Sequence, residues 1–211
     1  MTNPDYTHLA LIVDRSGSMG AIRDDMEGAI RSLLEEQDKL DGTLKVDITT
    51  FDTVVEYPYA DASVSDISSD PIIKPRGLTA LLDAVGFTTF NLGAKLSDLP
   101  EDERPGTVIV AVVTDGDENA SVEYTTDKIK ALVTDQQDKY NWNFLFLGAN
   151  IDSFSVAGGW GISKGSTLNF TPSSAGTSNV AMASNTYLTN VRSAGSYVFT
   201  DKDREEEKTE A

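Results

Sequence analysis

The chain has 211 residues, 39% of them hydrophobic, which is enough for one well-packed domain and short for two. Its 34 acidic side chains outnumber 17 basic ones, and the net charge of −17 opposes binding to nucleic acid and to anionic membranes, both of which require cationic neutralisation. With no cysteine, neither disulfides nor thiolate metal sites are available.

The N-terminus, Met1-Thr2-Asn3-Pro4-Asp5-Tyr6, has no basic region ahead of its short apolar run, so it does not read as a signal peptide. No apolar stretch reaches membrane-spanning length, and the expectation is a soluble cytoplasmic protein. Residues 8–13 form an apolar run that reads as a buried strand. Over 21–40, Ile22, Met26, Ile30, Leu33 and Leu34 recur at helical spacing with Asp24, Glu27, Arg31 and Glu35 on other faces, and Asp41-Gly42 stops the helix. Residues 44–51 alternate apolar and polar as a half-exposed strand does. Asp52-Thr53 turns into a short edge strand over 54–57, ended by Pro58, and the Ser/Asp/Pro-rich stretch 60–75 reads as a loop.

Further along, a helix is predicted over 78–96, a charged connector over 100–105 and a strand over 107–113. Helices over 121–140, 151–160 and 180–191 follow, with strands at 143–147 and 167–170 between them. Residues 1–200 are expected as a single domain. Residues 201–211, with six acids and three bases, are expected as an acidic, solvated, flexible tail that accounts for only −3 of the net charge.

Strands alternating with helices imply an α/β fold with a doubly wound, Rossmann-like, mostly parallel sheet covered on both faces. In such sheets ligands bind beyond the strand C-termini, where the strand order reverses. Two strands end on an aspartate there. The first runs into Asp14-Arg15-Ser16-Gly17-Ser18, a loop that places one carboxylate and two hydroxyls at alternate positions, with Gly17 letting the backbone bend between them. The strand over 107–113 runs into Thr114-Asp115-Gly116. If these strands are neighbours, both carboxylates face one crevice. Oxygen-only ligands without His or Cys suit Mg²⁺, Mn²⁺ or Ca²⁺.

Asp14-x-Ser16-x-Ser18, Gly77-Leu78-Thr79-Ala80-Leu81 and Thr114-Asp115-Gly116 resemble, in order and spacing, the three parts of the metal-ion-dependent adhesion site of von Willebrand factor A domains. The resemblance spans about residues 6–170 and is strongest to the stand-alone A domains of bacteria and their phages. It implies strand order 3-2-1-4-5-6 with strand 3 antiparallel at an edge. It further implies that Asp14, Ser16, Ser18, Thr79 and Asp115 surround a Mg²⁺ or similar ion, the hydroxyls binding directly and the aspartates partly through water. Where the family often has two glycines before the threonine, Leu78 replaces the second. Asp83, one turn after Thr79, reads equally as a hydrogen-bonding support for the site or as an exposed helix acid.

Other motif matches fail on required positions. Asp115-x-Asp117-x-Asn119 begins like a calcium-binding EF-hand loop, but Ala120 and Thr126 occupy the glycine and glutamate positions. Ser16-Gly17-Ser18-Met19-Gly20 lacks the first glycine of a hydrolase nucleophile elbow. A haloacid-dehalogenase-type nucleophile at Asp14 would need an acid where Ser16 stands. His8, the one histidine, reads as structural, Trp142 and Trp160 as packing residues, Arg15 as solvated, and Asp117 and Glu118 as surface acids. The expected function is therefore a non-enzymatic, divalent-metal-dependent protein-binding module whose ion takes an Asp or Glu side chain of a partner protein. A metal-dependent hydrolase using the Asp14/Asp115 crevice is the rival reading. Another is a regulatory subunit of a separate ATPase, since this chain has no Gly-x-x-x-x-Gly-Lys loop.

Overall fold

A computed structural model describes residues 1–205. Six strands form one sheet in the order β3-β2-β1-β4-β5-β6. They are β1 (Asn3–Asp14), β2 (Thr43–Phe51), β3 (Val55–Ala62), β4 (Pro105–Thr114), β5 (Asn143–Ala149) and β6 (Thr167–Phe170). All neighbours pair in parallel except β2 with β3, which is antiparallel at one edge. Among the described residues six α-helices accompany the sheet: α1 (Arg23–Asp38), α2 (Leu81–Ser97), α3 (Thr126–Tyr140) and α4 (Ser153–Gly159) lie between strands, and α5 (Ser174–Ala194) and α6 (Asp201–Glu205) follow β6.

The apolar run in β1 is continuous because both faces of the strand are covered. Leu9, Leu11 and Val13 pack into the layer holding Met26, Ile30 and Leu34 of α1 and Val180, Tyr187 and Leu188 of α5. Ala10 and Ile12 point the other way, toward Leu81 and Val85 of α2, Ile129 and Val133 of α3, and Trp160 beyond α4. Trp142 and Trp160 are buried packing residues, as expected: Trp160 meets Phe146 edge-to-face and Trp142 stacks on Phe144. His8 is fully buried in the middle of β1, 3.0 Å from Tyr6 Oη and 3.1 Å from Asp47. Among the described residues no helix is long and apolar enough to cross a membrane.

Several boundaries differ from the sequence reading. β3 continues through Pro58 to Ala62, because on an edge strand the missing N–H costs no ladder bond and register shifts on either side of Ile48 absorb the distortion. The stretch 60–75 is no featureless loop: Ile72 and Ile73 are buried, and α1 fastens the chain there. Glu27 accepts from the Ile73 N–H at 2.5 Å, and Arg31 donates to the carbonyls of Ser68 and Asp70 at 2.8 and 2.7 Å. α2 starts at Leu81 and α3 at Thr126, each later than periodicity suggests, since the residues before them form the site loops described below. α5 is longer than the apolar stripe over 180–191, being capped by the Ser173 hydroxyl and ended by Gly195 at φ +79°.

The expected tail begins within the described residues. Residues 201–205 are helical, with Thr200 and Asp203 capping the first turn. Arg204 lies over the rings of Phe154 and Phe199 and donates to the carbonyls of Thr167 and Lys164. The rest of the expected tail, 206–211, lies outside the described residues.

Gly86 of α2 faces Tyr124, and a Cβ at 86 would sit 2.3 Å from the ring. Gly86→Ala is therefore expected to destabilise by about 1–3 kcal/mol of overpacking, more than the roughly 1 kcal/mol gained in helix propensity. In a Tyr124→Ala background the propensity gain should remain alone. Urea unfolding of the four chains checks this, and a stabilising Gly86→Ala in the parent would refute it.

Candidate functional site

The register of the sheet builds the site. Asp14 closes β1, and the pairing of Val13 with Val113 sets it abreast of Thr114, one residue before Asp115. This is the point where the strand order reverses between β1 and β4. Asp14 is fully buried. One of its oxygens accepts from the Ser16 N–H and the other from the Thr114 hydroxyl, each at 2.6 Å. Ser16 and Ser18 share a hydrogen bond of 3.0 Å between their hydroxyls, and Ser18 donates to Asp115 at 2.6 Å. A methyl group at Gly116 would come within 3.3 Å of Thr79 Oγ1 and 3.5 Å of Ser18 Oγ, so Thr79 closes on the same space. All five residues named from the sequence are brought together.

Burial pushes the Asp14 carboxyl up to about 6, against the opposing hydrogen bonds from Thr114 and Ser16, and the neighbouring charge of Asp115 adds to the rise. Burial likewise raises Asp115. Folding thus pays for ionising Asp14 above its ordinary value of 3.8, and the penalty is complete near pH 6. Two ionised carboxylates with three neutral hydroxyls form an all-oxygen donor set carrying two negative charges, which fits a hard divalent cation. Among the described residues no cluster of three His, Cys, Asp or Glu side chains could hold a metal, so any ion here depends on the hydroxyls.

Three loops carry these groups, and the structure ties them by side chains that periodicity does not reveal. Arg15 is buried, contrary to the solvated reading, because Asp52 accepts from its Nε at 3.0 Å and Glu56 from its Nη1. Arg76 donates to the same two carboxylates at 2.6 Å each. The backbone repeats the link: Arg76 N–H donates to Arg15 O at 2.9 Å, and Ala80 N–H to Asp52 O at 2.8 Å. Gly77 adopts φ +66°, and a Cβ there would meet Thr53 Oγ1 at 2.9 Å. Leu78, standing where the family often has glycine, is 56% exposed and displaces none of the candidate ligands.

The loop after Asp115 is pinned from α2. Asn119 pairs with Thr79 both ways, its side chain accepting from Thr79 N–H at 2.9 Å and its own N–H donating to Thr79 O at 3.0 Å. Asp83 is a buried support, not an exposed helix acid: it accepts the backbone N–H groups of Val122, Glu123 and Tyr124 at 2.8–3.0 Å. Glu118, read as a surface acid, instead caps the start of α2 through Leu82 N–H at 2.8 Å and gathers Ala120 and Ser121. Asp117 is exposed, as expected.

Hydrogen bonds from Arg15 and Arg76 hold the Glu56 carboxyl down at about 2 against an ordinary value of 4.5. Because folding lowers it, the ionised form stabilises above pH 4.5, and that stability drains as pH falls toward 2. Glu56→Gln should therefore lose less stability than the parent between pH 5 and pH 2.5, read by urea unfolding. Parallel pH profiles for the two chains would contradict the pairing.

No family model matches the chain, and no curated protein does. Solved structures do. Proximal thread matrix protein 1 of the mussel byssus matches with TM-score 0.58 at 15% identity over 84% of this chain and 44% of that one. A second structure of it, described as having a zinc-occupied MIDAS motif, matches with TM-score 0.57 at 19% identity, covering 89% and 44%. The ArnB paralog VWA2 from Sulfolobus acidocaldarius matches with TM-score 0.53 at 17% identity, covering 85% and 44%. This chain spans less than half the length of each of these neighbours. At these identities the likeness speaks to architecture, and together with the strand order and the antiparallel edge it shows that the chain has the von Willebrand factor A fold.

Proposed function

We propose that this chain is a divalent-metal-dependent protein-binding module and not an enzyme. The observation that carries the reading is the pair of buried carboxylates, Asp14 and Asp115, joined through Ser16 and Ser18 into one hydrogen-bonded, hydroxyl-bearing cluster at the strand switch point. Asp14, Ser16, Ser18, Thr79 and Asp115 are the residues that would hold Mg²⁺, with Mn²⁺ or Ca²⁺ as substitutes. When bound, the ion supplies a Lewis-acidic position that a carboxylate oxygen of a partner's Asp or Glu can occupy. The two carboxylates would only balance the ion's charge, and the other three donors are neutral hydroxyls. The bound ion would therefore cancel the local negative charge and keep its Lewis acidity toward a further carboxylate, which is how a chain of net charge −17 can accept an acidic group.

The reading as a hydrolase has less support. A general base must stand within hydrogen-bond reach of the reacting water. His8 lies six residues up β1 from Asp14, about 20 Å along the strand at the usual rise, and is already engaged with Tyr6 and Asp47. Lys95, close to Asp47 and Asp61, sits in that same far cluster.

Calorimetric titration of chelator-treated, dialysed protein with Mg²⁺, Mn²⁺ and Ca²⁺ tests the proposal. One saturable site is expected, lost in Asp14→Ala with the fold retained, since that change removes a buried charge as well as a ligand. At a hundred times its dissociation constant the ion should stabilise the parent by about 2.7 kcal/mol and leave Asp14→Ala unmoved. Equal affinity in both chains would sink the assignment. Thr79→Ala should weaken the ion only modestly and cost more in metal-dependent capture of an immobilised Asp- or Glu-bearing peptide. A loss confined to metal affinity would show that Thr79 plays no separate part toward the partner.

A further inference from the structure

The Arg15–Asp52–Arg76–Glu56 cluster stands beside the candidate ligands without contributing one. Arg15 lies in the chain between Asp14 and Ser16, and Arg76 lies three residues before Thr79. Each guanidinium reaches the same two carboxylates, so two forks close a ring of four charges: Arg15 through Nε and Nη1, Arg76 through Nε and Nη2. Asp52 is buried, and its carboxylate also accepts from Val54 N–H at 2.7 Å, which fixes it to the turn between β2 and β3. Its backbone carbonyl takes the N–H of Ala80, the residue after Thr79. The ring is electrically neutral. It fastens the loop of Ser16 and Ser18 to the loop of Thr79 across a turn that belongs to neither.

We propose that these four residues form a positioning clasp that sets the separation between the Ser16/Ser18 hydroxyls and Thr79, so that cation affinity depends on side chains outside the ligand set. The inference rests on the metal-site reading above. Its basis is geometric. Hydroxyls bind a cation weakly on their own, so their contribution depends on being held in place, as outer supports of metal ligands generally do. Guanidinium groups that each bridge two carboxylates through different nitrogens are well suited to that task, since the planar fork fixes direction as well as distance.

Arg76 and Glu56 are the members to vary, because at 56% and 48% exposure their replacement leaves the buried half of the ring in place. The experiment measures Mg²⁺ affinity by calorimetry for the full chain, Arg76→Gln, Glu56→Gln and the double variant, at one ionic strength. It adds backbone amide exchange of residues 76–80 in chelator. A clasp predicts that both single changes weaken Mg²⁺ about tenfold, that the double variant is no weaker than either, and that exchange at 76–80 quickens while 9–13 stays protected. Charge acting through space predicts opposite signs: loss of the Arg76 cation tightens Mg²⁺ and loss of the Glu56 anion weakens it. Opposite signs, or unchanged affinity in both variants, would overturn the clasp while leaving the metal site standing. A parent chain that takes up no Mg²⁺ would overturn the metal-site reading and the clasp with it, and unchanged amide exchange would remove the clasp on its own.

Discussion

Two carboxylates at the ends of adjacent buried strands resist burial and repel each other, and much of the surrounding architecture answers that constraint. The parallel register of β1 and β4 sets Asp14 abreast of Thr114, one residue from Asp115, and is itself fixed by two hydrophobic layers. A one-residue slip would exchange the layers that Leu11 and Ile12 serve, so the core holds the register and the register holds the charges. The local answer to the charge is a ring of donors: a backbone N–H and the Thr114 hydroxyl on Asp14, and the Ser18 hydroxyl on Asp115. These bonds soften the burial penalty without abolishing it, and a cation can offset what is left.

The loops that carry the hydroxyls are held mainly by polar contacts. Toward β3 the fastening is the ring of Arg15, Arg76, Asp52 and Glu56; toward α3 it is Asn119, Glu118 and Asp83, all acting on or near the start of α2. Thr79 sits between the two systems, tied on both sides. The division of labour is plain: apolar packing sets the strands, and hydrogen-bonded charges set the loops.

The layers were legible in the sequence because they repeat. The apolar run of β1, the alternation of β2, the helical spacing of α1 and the run of β4 each carry a local period, and the structure follows them, β2 only as far as Ile48, after which Thr49 and Thr50 are buried as well. The five oxygen-bearing residues were legible because the motif fixes their type and spacing, and they do converge. What sequence reasoning missed has no period. Arg15 and Asp52 are 37 residues apart, and Asp83 and Tyr124 are 41 apart, so nothing local distinguishes these side chains from solvated ones. The same holds for Ile72 and Ile73, two apolar residues inside a polar stretch that join the core where Glu27 and Arg31 tie the loop to α1. Pro58 misled in the opposite direction, since its meaning depends on whether a neighbour lies on its far side.

That far side has none in this sheet. Along β3 the ladder with β2 slips twice, and within one of the slips, between Glu56 and Tyr59, Pro58 offers no backbone donor. A foreign extended segment arriving at this border would meet a gap in place of a template, and each attempt to extend the sheet would leave acceptors unmatched. The β3 border of the sheet is thus protected against strand addition by its own irregularity.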